Sequence, residues 1–157
     1  MPAANPFQCG DCGFRLYFNP AVSVGAFVFR DDGRMLWLRR SKEPARGRLG
    51  LPGGFIDFDE TAEAALAREI REEVGLAVKA WRFLCSRPNE YRFGEVTYRV
   101  LDLFFVAEAV DPASAEALEE VESLVWLTPE ETRSEDVAFP SVRDALTALL
   151  SERAARR

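Results

Sequence analysis

The sequence lacks histidine, has only three cysteines among its 157 residues, and contains no long apolar run. An odd number of thiols argues against a framework of paired disulfides, and no run approaches the roughly 18 apolar residues that cross a bilayer. The segment from Met1 to Gly10 also lacks the basic start and apolar stretch of a secretion signal. We therefore expect a cytoplasmic protein without a membrane partner.

The chain also lacks an excess of basic residues, and its formal net charge is −6 at pH 7. Without a broad basic field, nucleic acid is not an expected partner. An anionic substrate would instead need arginines gathered in one place or a divalent cation that bridges like charges. The apolar share of 48% and the charged share of 29% are near the averages for globular proteins, and the length suits one compact domain.

Apolar stretches separated by turn residues predict four strands and a short fifth, at 21–30, 35–40, 78–86, 97–107 and 124–127. Asp31-Asp32-Gly33 predicts a hairpin turn between the first two strands, and Pro88, Asn89 and Gly94 predict a turn between the next two. Residues 41–54 are rich in glycine and read as a connecting loop.

Two helices are expected around this sheet. Helix formers without internal Gly or Pro run from Thr61 to Val74, and Gly75 follows as a stop signal. A second, amphipathic helix is expected after Pro140. Strands on both sides of a central helix, with another helix at the end, predict an α/β or α+β fold with a mixed sheet. Residues 1–20 read as a short appendage to a domain at 21–157.

Three carboxylates stand out on the first predicted helix, within the stretch GFIDFDETAEAALAREIREEVGL at 54–76. Glu69, Glu72 and Glu73 fall within an arc of roughly 100°, so they project from one face next to the apolar stripe. Oxygen ligands at the border of a core suit a hard cation such as Mg²⁺, which completes its shell with water and phosphate. The alternative is an acidic, solvated helix face.

The same stretch resembles the signature box of the Nudix hydrolase family at every specified position and spacing, namely at Gly54, Glu60, Arg68, Glu69, Ile70, Glu72, Glu73, Gly75 and Leu76. The resemblance implies an α/β/α sandwich with a mixed sheet between helices. It also implies Mg²⁺- or Mn²⁺-dependent hydrolysis of a diphosphate linkage in a nucleoside diphosphate derivative by metal-activated water. Dinucleotides, ADP-ribose and nucleotide sugars are substrates of this type.

The resemblance also implies roles for individual residues. Glu69, Glu72 and Glu73 would hold the metal, and Arg68 would pair with Glu60 to fix the preceding loop. Members of the family carry the general base either on the box helix or on a later loop. Glu120 is our candidate for a base on the later loop. The alternative for this residue is a solvated position among the neighbouring glutamates.

Substrate contacts are expected on both sides of the box. Gly53 and Gly54 permit close approach of the backbone, and Arg40 and Arg48 flank the loop where phosphates would arrive. Farther along the chain, the candidates for contact with a base or ribose are Tyr91 and Tyr98. A surface role for each arginine and core packing for each tyrosine are the alternatives.

Cys9 and Cys12 lie in the run CGDCGFRLYFNP, which resembles the end of the zinc ribbon of NADH pyrophosphatases. A structural zinc site normally takes four N or S ligands, and this chain supplies two nearby. The pair is therefore either a degenerate knuckle without metal or half of a Zn²⁺ site shared between two chains of a homodimer.

Two other functions stay open beside the hydrolase. One is a module that binds a nucleotide without cutting it, and the other is a pyrophosphatase that removes damaged nucleoside triphosphates. All three functions imply a small nucleotide as the ligand.

Overall fold

The computed structural model describes residues 6–156, and most of its strands belong to one six-stranded mixed sheet. The strands are β1 (Phe7–Gln8), β2 (Arg15–Leu16), β3 (Ala21–Phe29), β4 (Met35–Arg40), β5 (Leu49–Gly50), β6 (Val78–Phe93), β7 (Val96–Ala109) and β8 (Val121–Leu127). The helices are α1 (Ala62–Val74) and α2 (Pro140–Ala155), and short 3₁₀ turns lie at Pro112–Ser114, Pro129–Glu131 and Ser134–Asp136.

The sheet has the order β5-β4-β3-β7-β6, and β8 pairs with β4. The β3 strand runs parallel to β7 along all nine of its residues, whereas the other pairs are antiparallel. The hairpin predicted at the start of the domain is present, but β3 and β4 pair only at Phe29 and Met35. Beyond that pair the two strands turn to different neighbours.

The turn predicted at Pro88 and Asn89 is wrong, because both residues lie within the ladder of β6 and β7, opposite Leu101 and Val100. The chain reverses at Gly94, the third residue of the predicted turn, whose φ of 59° is left-handed. Proline is tolerated at this point because β6 is the last strand in the sheet order, so the N–H that proline lacks is not needed by a further strand.

Helix α1 begins and ends as its sequence predicts. The Thr61 hydroxyl accepts a hydrogen bond from the Ala64 backbone N–H at 3.2 Å, which caps the first turn. Gly75 adopts the left-handed conformation at φ 67° and donates to the Arg71 carbonyl at 3.0 Å. The apolar stripe of α1 is fully buried at Leu66, Ile70 and Val74.

The two helices cover opposite faces of the sheet. Side chains of α1 pack with Val24, Ala26 and Val28 of β3 in one core, and side chains of α2 pack with Phe27 and Phe104 in another. Burying one such side chain contributes about 1.5–3 kcal/mol to stability. The predicted α+β sandwich, with a mixed sheet between helices, is confirmed. Within residues 6–156, neither helix has the length and apolarity needed to cross a membrane.

The described part of the predicted appendage is not wholly irregular. Strands β1 and β2 form a separate two-stranded sheet, in which Phe7 lies opposite Leu16. Residues 1–5 of the appendage lie outside the described residues.

Candidate active site

A cavity of about 360 Å³ lies beside β3 and is lined by residues from both faces of the sheet. This volume is in the range of small-molecule sites. Charged residues of α1, of the end of β4 and of nearby loops line one part, including Arg40, Arg68, Glu69, Glu73 and Glu120. Aromatic and polar residues line the rest, including Phe55, Asn89, Tyr91, Asp102, Phe104 and Phe139.

The glycines that join the two parts have no room for side chains. Residues 52–56 run alongside β3, where Val24 N donates to the Gly54 carbonyl at 2.9 Å. A Cβ atom at Gly53, whose φ is 148°, would stand 2.0 Å from the Val24 carbonyl oxygen. A Cβ atom at Gly54 would stand 2.4 Å from Glu69 Oε1. This loop therefore brings bare backbone directly against the acidic helix.

Glu73 is held in place by the same loop. The Gly53 N–H donates to its carboxylate at 2.9 Å. Burial raises the pKa of Glu73 to about 8, and the neighbouring negative charge of Glu69 adds to the rise. A charge-neutralising partner would therefore be needed to keep this carboxylate ionised at neutral pH.

Arg68 organises the other carboxylates of the cluster. Its Nε and Nη2 donate to the two oxygens of Glu60, at 2.9 and 3.0 Å. Its Nη1 donates to Glu69 at 2.8 Å and to Glu72 at 3.1 Å, and its Nη2 donates to the Phe55 carbonyl at 3.1 Å. The hydrogen bonds from Arg68 lower the pKa of Glu60. One guanidinium thus ties the loop before α1 to the helix.

The three predicted metal ligands are not equivalent. Glu69 and Glu73 both line the cavity, and burial also raises the pKa of Glu69. Glu72 is turned toward Arg68, its side chain is 50% exposed, and it is not among the lining residues. Within residues 6–156, no set of three or more cysteine and acidic side chains converges in an arrangement that could hold a metal ion.

The donor set nevertheless suits a divalent ion. Glu69 and Glu73 offer only oxygen, which Mg²⁺ and Mn²⁺ prefer. The guanidinium of Arg68 is committed to Glu60, Glu69 and Glu72, so it leaves the partly buried Glu73 without a salt bridge from α1. A divalent cation held by these two carboxylates would favour their ionised forms against the burial that raises both pKa values.

Glu120 also reaches this part of the cavity. It lines the cavity in a left-handed backbone conformation, with a φ of 58°. Its side chain pairs with Lys42 at 2.7 Å, and its carbonyl accepts hydrogen bonds from the Ser41 backbone and hydroxyl. The candidate base is thus near the acidic cluster but bound to a lysine.

Of the two arginines predicted to contact phosphate, one lines the cavity and the other does not. Arg40 lines the cavity, where its Nε donates to the Pro44 carbonyl at 2.9 Å and its guanidinium stacks 5.1 Å from the Phe139 ring centroid. Arg48 does not line it, because its Nη1 donates to the Glu135 carbonyl in a different surface depression.

The two tyrosines differ in the same way. Tyr91 lines the cavity, and its ring centroid lies 5.7 Å from that of Phe55 and 6.0 Å from that of Phe139. Tyr98 lies opposite Tyr91 in the ladder but is 45% exposed and lies outside the cavity lining.

Sequence reasoning missed the polar residues at the aromatic part of the cavity. Asp102 lies in β7, and it accepts a hydrogen bond from the Ser23 hydroxyl at 2.5 Å. Asn89 lines the same part. A charged residue in the middle of the apolar run 100–106 was the available signal for Asp102.

The cysteine pair lies in a tight turn between β1 and β2. Gly13 N donates to the Cys9 carbonyl at 3.1 Å, and Cys9 N donates to the Phe14 carbonyl at 2.9 Å. Hydrogen bonds from the Cys12 and Asp11 backbones lower the pKa of Cys9. Both thiols are free, and the described residues add no third ligand to them.

Comparison with known proteins gives a consistent result. Residues 19–149 match the family model described as the NUDIX domain. An ADP-ribose pyrophosphatase of Methanocaldococcus jannaschii is 44% identical over 99 residues, which are 62% of this chain and 56% of that protein. An NAD-capped RNA hydrolase of Deinococcus radiodurans is 29% identical over 148 residues, which are 90% of this chain and 51% of that protein. The chain thus aligns with about half the length of each.

A solved structure supports the same grouping. The MutT NUDIX hydrolase of Burkholderia pseudomallei superimposes with a TM-score of 0.71 at 29% identity, over 83% of this chain and 98% of that one.

Proposed function

The chain belongs to the NUDIX family, and we propose that it is a hydrolase of acid anhydrides that cuts a diphosphate linkage in a nucleoside diphosphate derivative. One observation carries this proposal: a single cavity joins the acidic face of α1 to a group of aromatic side chains. The acidic part suits phosphates bridged by a divalent ion, and the aromatic part suits a nucleoside.

We propose that Mg²⁺ or Mn²⁺, as is general in the family, binds at Glu69 and Glu73, with Glu72 as a third carboxylate. When bound, such an ion supplies charge neutralisation and activation of water for attack on phosphorus. Glu72 reaches the ion only if its side chain leaves Arg68, which it contacts at 3.1 Å.

The remaining residues have roles that follow from their positions. Arg68 positions Glu69 through the hydrogen bond at 2.8 Å and anchors Glu60 on the preceding loop. Arg40 lines the cavity, so its guanidinium can offset phosphate charge. Glu120 is proposed to accept the proton of the attacking water, once the pairing with Lys42 opens.

Cleavage of a diphosphate linkage is supported by the relative from Methanocaldococcus jannaschii, which is named an ADP-ribose pyrophosphatase. The direct test is a product screen in Mg²⁺ and in Mn²⁺ with ADP-ribose, NAD, NADH, nucleotide sugars, dinucleoside polyphosphates and nucleoside triphosphates. We expect cleavage of a diphosphate derivative and release of a nucleoside monophosphate. Glu73→Gln should lower turnover by about a hundredfold or more, whereas Glu63→Gln, in the first turn of the same helix, serves as the matched control.

Three results would each contradict a part of this proposal. Turnover of every cleaved substrate at the wild-type rate by Glu73→Gln would remove the proposed metal site. Binding of nucleotides without release of any product would favour a binding module instead. Preferred cleavage of nucleoside triphosphates would favour the alternative of a pyrophosphatase that removes damaged nucleoside triphosphates.

Residues 21–157 are proposed as the hydrolase domain, and the hairpin of β1 and β2 as its appendage. A Zn²⁺ ion held by the Cys9 and Cys12 thiols of two chains would make a homodimer. Metal analysis and molecular mass at two protein concentrations test this directly, because a shared site requires one zinc per two chains. Zinc-free monomer at both concentrations eliminates it.

A further inference from the structure

Asp102 is an acidic residue that lines the same cavity as Phe55, Tyr91 and Phe139, and the proposed hydrolytic mechanism assigns it no role. Its relative exposure is 7%, and it lines the cavity from the middle of β7. Within the described part of the chain, the Ser23 hydroxyl is the donor found for it, at 2.5 Å on Oδ1. A carboxylate offers about four acceptor positions, so the hydrogen bond from Ser23 does not exhaust its capacity.

Asn89 supplies the opposite type of group. The Glu90 backbone N–H donates to Asn89 Oδ1 at 2.9 Å, which fixes the amide orientation and leaves the NH₂ group as a donor. Asn89 lies opposite Val100 in the ladder, and Val100 is two residues before Asp102 on the same strand face. The two polar side chains are therefore diagonal neighbours, about 7–8 Å apart at their Cα atoms.

Flat, apolar surroundings complete this end of the cavity. The Tyr91 ring lies between two others, with its centroid 5.7 Å from that of Phe55 and 6.0 Å from that of Phe139. Such a group of rings offers stacking and edge contacts to a planar base. A sugar would leave these ring faces less well covered than a base would.

We propose that Asp102 and Asn89 select a guanine-type base over adenine. The guanine edge presents a carbonyl oxygen next to two N–H donors, whereas the adenine edge presents an amino group next to a ring acceptor. The Asn89 amide would donate to the carbonyl, and Asp102 would accept from the two N–H groups. A ring acceptor facing Asp102 would instead leave the buried carboxylate opposed by a lone pair. This inference rests on the proposed function, because the base belongs to the same substrate.

A ribose could offer the same chemistry, since its hydroxyls are also hydrogen-bond donors to a carboxylate. The aromatic surroundings favour the base. The two sources are separable, because removing the 2′-hydroxyl changes only the sugar.

The test measures equilibrium binding of GMP, IMP, AMP and dGMP to the whole chain in Mg²⁺, by titration calorimetry. We expect GMP to bind about tenfold to a hundredfold more tightly than AMP, since good base-edge pairs discriminate by that much. IMP, which lacks the 2-amino group, should lie between them, and dGMP should match GMP. Equal affinities for GMP and AMP in the wild-type protein overturn the proposal.

Variants locate the effect. Asp102→Asn should bring the GMP/AMP affinity ratio close to one, since an amide can serve the adenine edge as well. Glu108→Gln removes a negative charge from the same strand outside the cavity and should keep the wild-type ratio. A thermal melt of each variant checks that it folds. If Asp102→Asn does not fold, the GMP/AMP affinity ratio of the wild-type protein alone tests the proposal. A change in the GMP/dGMP ratio alone on Asp102→Asn would assign Asp102 to the ribose and overturn base selection.

Failure of this inference is distinguishable from failure of the hydrolase assignment. Hydrolysis of matched ADP- and GDP-sugars at equal kcat/KM contradicts base selection and leaves the hydrolase intact. Guanine-selective binding without hydrolysis of any substrate supports base selection and contradicts the hydrolase.

Discussion

Gly54 lies so close to Glu69 that a Cβ atom added to it would stand 2.4 Å from the carboxylate oxygen Oε1. The contact joins the glycine loop to α1 at the point where the proposed metal ligands face the cavity. The position of Glu69 therefore depends on the absence of a side chain 15 residues earlier in the chain.

Gly54→Ala should displace Glu69 and impair catalysis with little loss of stability. Misplacing a reacting group by about 1 Å can cost about a hundredfold in rate, so we expect kcat to fall tenfold to a hundredfold. Steady-state kinetics and a thermal melt measure the two effects. Gly10→Ala is the control, because nothing lies within 4 Å of its added Cβ; equal kcat in both variants would contradict the prediction.

The stability of the metal-free protein should fall as pH rises. Burial raises the pKa of Glu73 to about 8, above the 4.5 of an ordinary glutamate, so the folded state binds more protons than the unfolded state between these values. The stabilisation is complete below about pH 4.5 and is lost as pH rises through 8. Unfolding in EDTA from pH 5 to 9 measures it.

Glu73→Gln should flatten that decline, because the amide does not ionise. Addition of Mg²⁺ to the wild-type protein should raise the Tm more at pH 8.5 than at pH 6, since the ion binds the ionised carboxylate. Parallel pH profiles for the wild-type protein and Glu73→Gln would show that this residue does not control the effect.

Arg68→Lys should reduce both stability and turnover. A lysine cannot reproduce the paired hydrogen bonds to Glu60 while also reaching Glu69. Leaving a partly buried carboxylate without its donors costs about 1–3 kcal/mol, which denaturant unfolding can resolve. At the exposed pair of Arg99 and Glu90, the same substitution should change stability by less than about 1 kcal/mol. Similar losses at both sites would refute a special role for Arg68.

Glu120→Gln tests the proposed base. A general base contributes about a hundredfold to ten-thousandfold, so kcat should fall by at least a hundredfold and the acidic limb of the pH–rate profile should disappear. Glu119→Gln and Glu122→Gln are neighbouring controls outside the cavity lining. Retention of the acidic limb in Glu120→Gln would place the base elsewhere.

Helix α1 could be predicted from the sequence because its signals are local. Thr61 and Gly75 lie at its two ends and act through hydrogen bonds to residues three or four positions away. Its stripe of Leu66, Ile70 and Val74 repeats at helical spacing and is buried as expected. The pairing of Arg68 with Glu60, which the family resemblance implied, is also present within this short segment.

The other errors and omissions concern residues that are distant in sequence. Pro88 is typical of a turn in the sequence. It fits into strand β6 only because β6 lies at the edge of the sheet. Asp102 meets its donor Ser23 across 79 positions, so no local pattern pairs them. Arg48 is predicted to line the cavity because it flanks the loop before the box, but its hydrogen bond to the Glu135 carbonyl holds its side chain outside the cavity.

The parallel pairing of β3 with β7 has a consequence for the order of folding. Strands β3 and β4 are joined by a tight turn but pair at only one position, Phe29 with Met35, so their pairing contributes little stability. Their main partners, β7 and β8, come much later in the chain. Because long loops must close before these strands can pair, we expect formation of the sheet to be the slow, rate-limiting step of folding. A ribosome-bound fragment that ends before β7 should therefore lack the pocket, even with α1 complete.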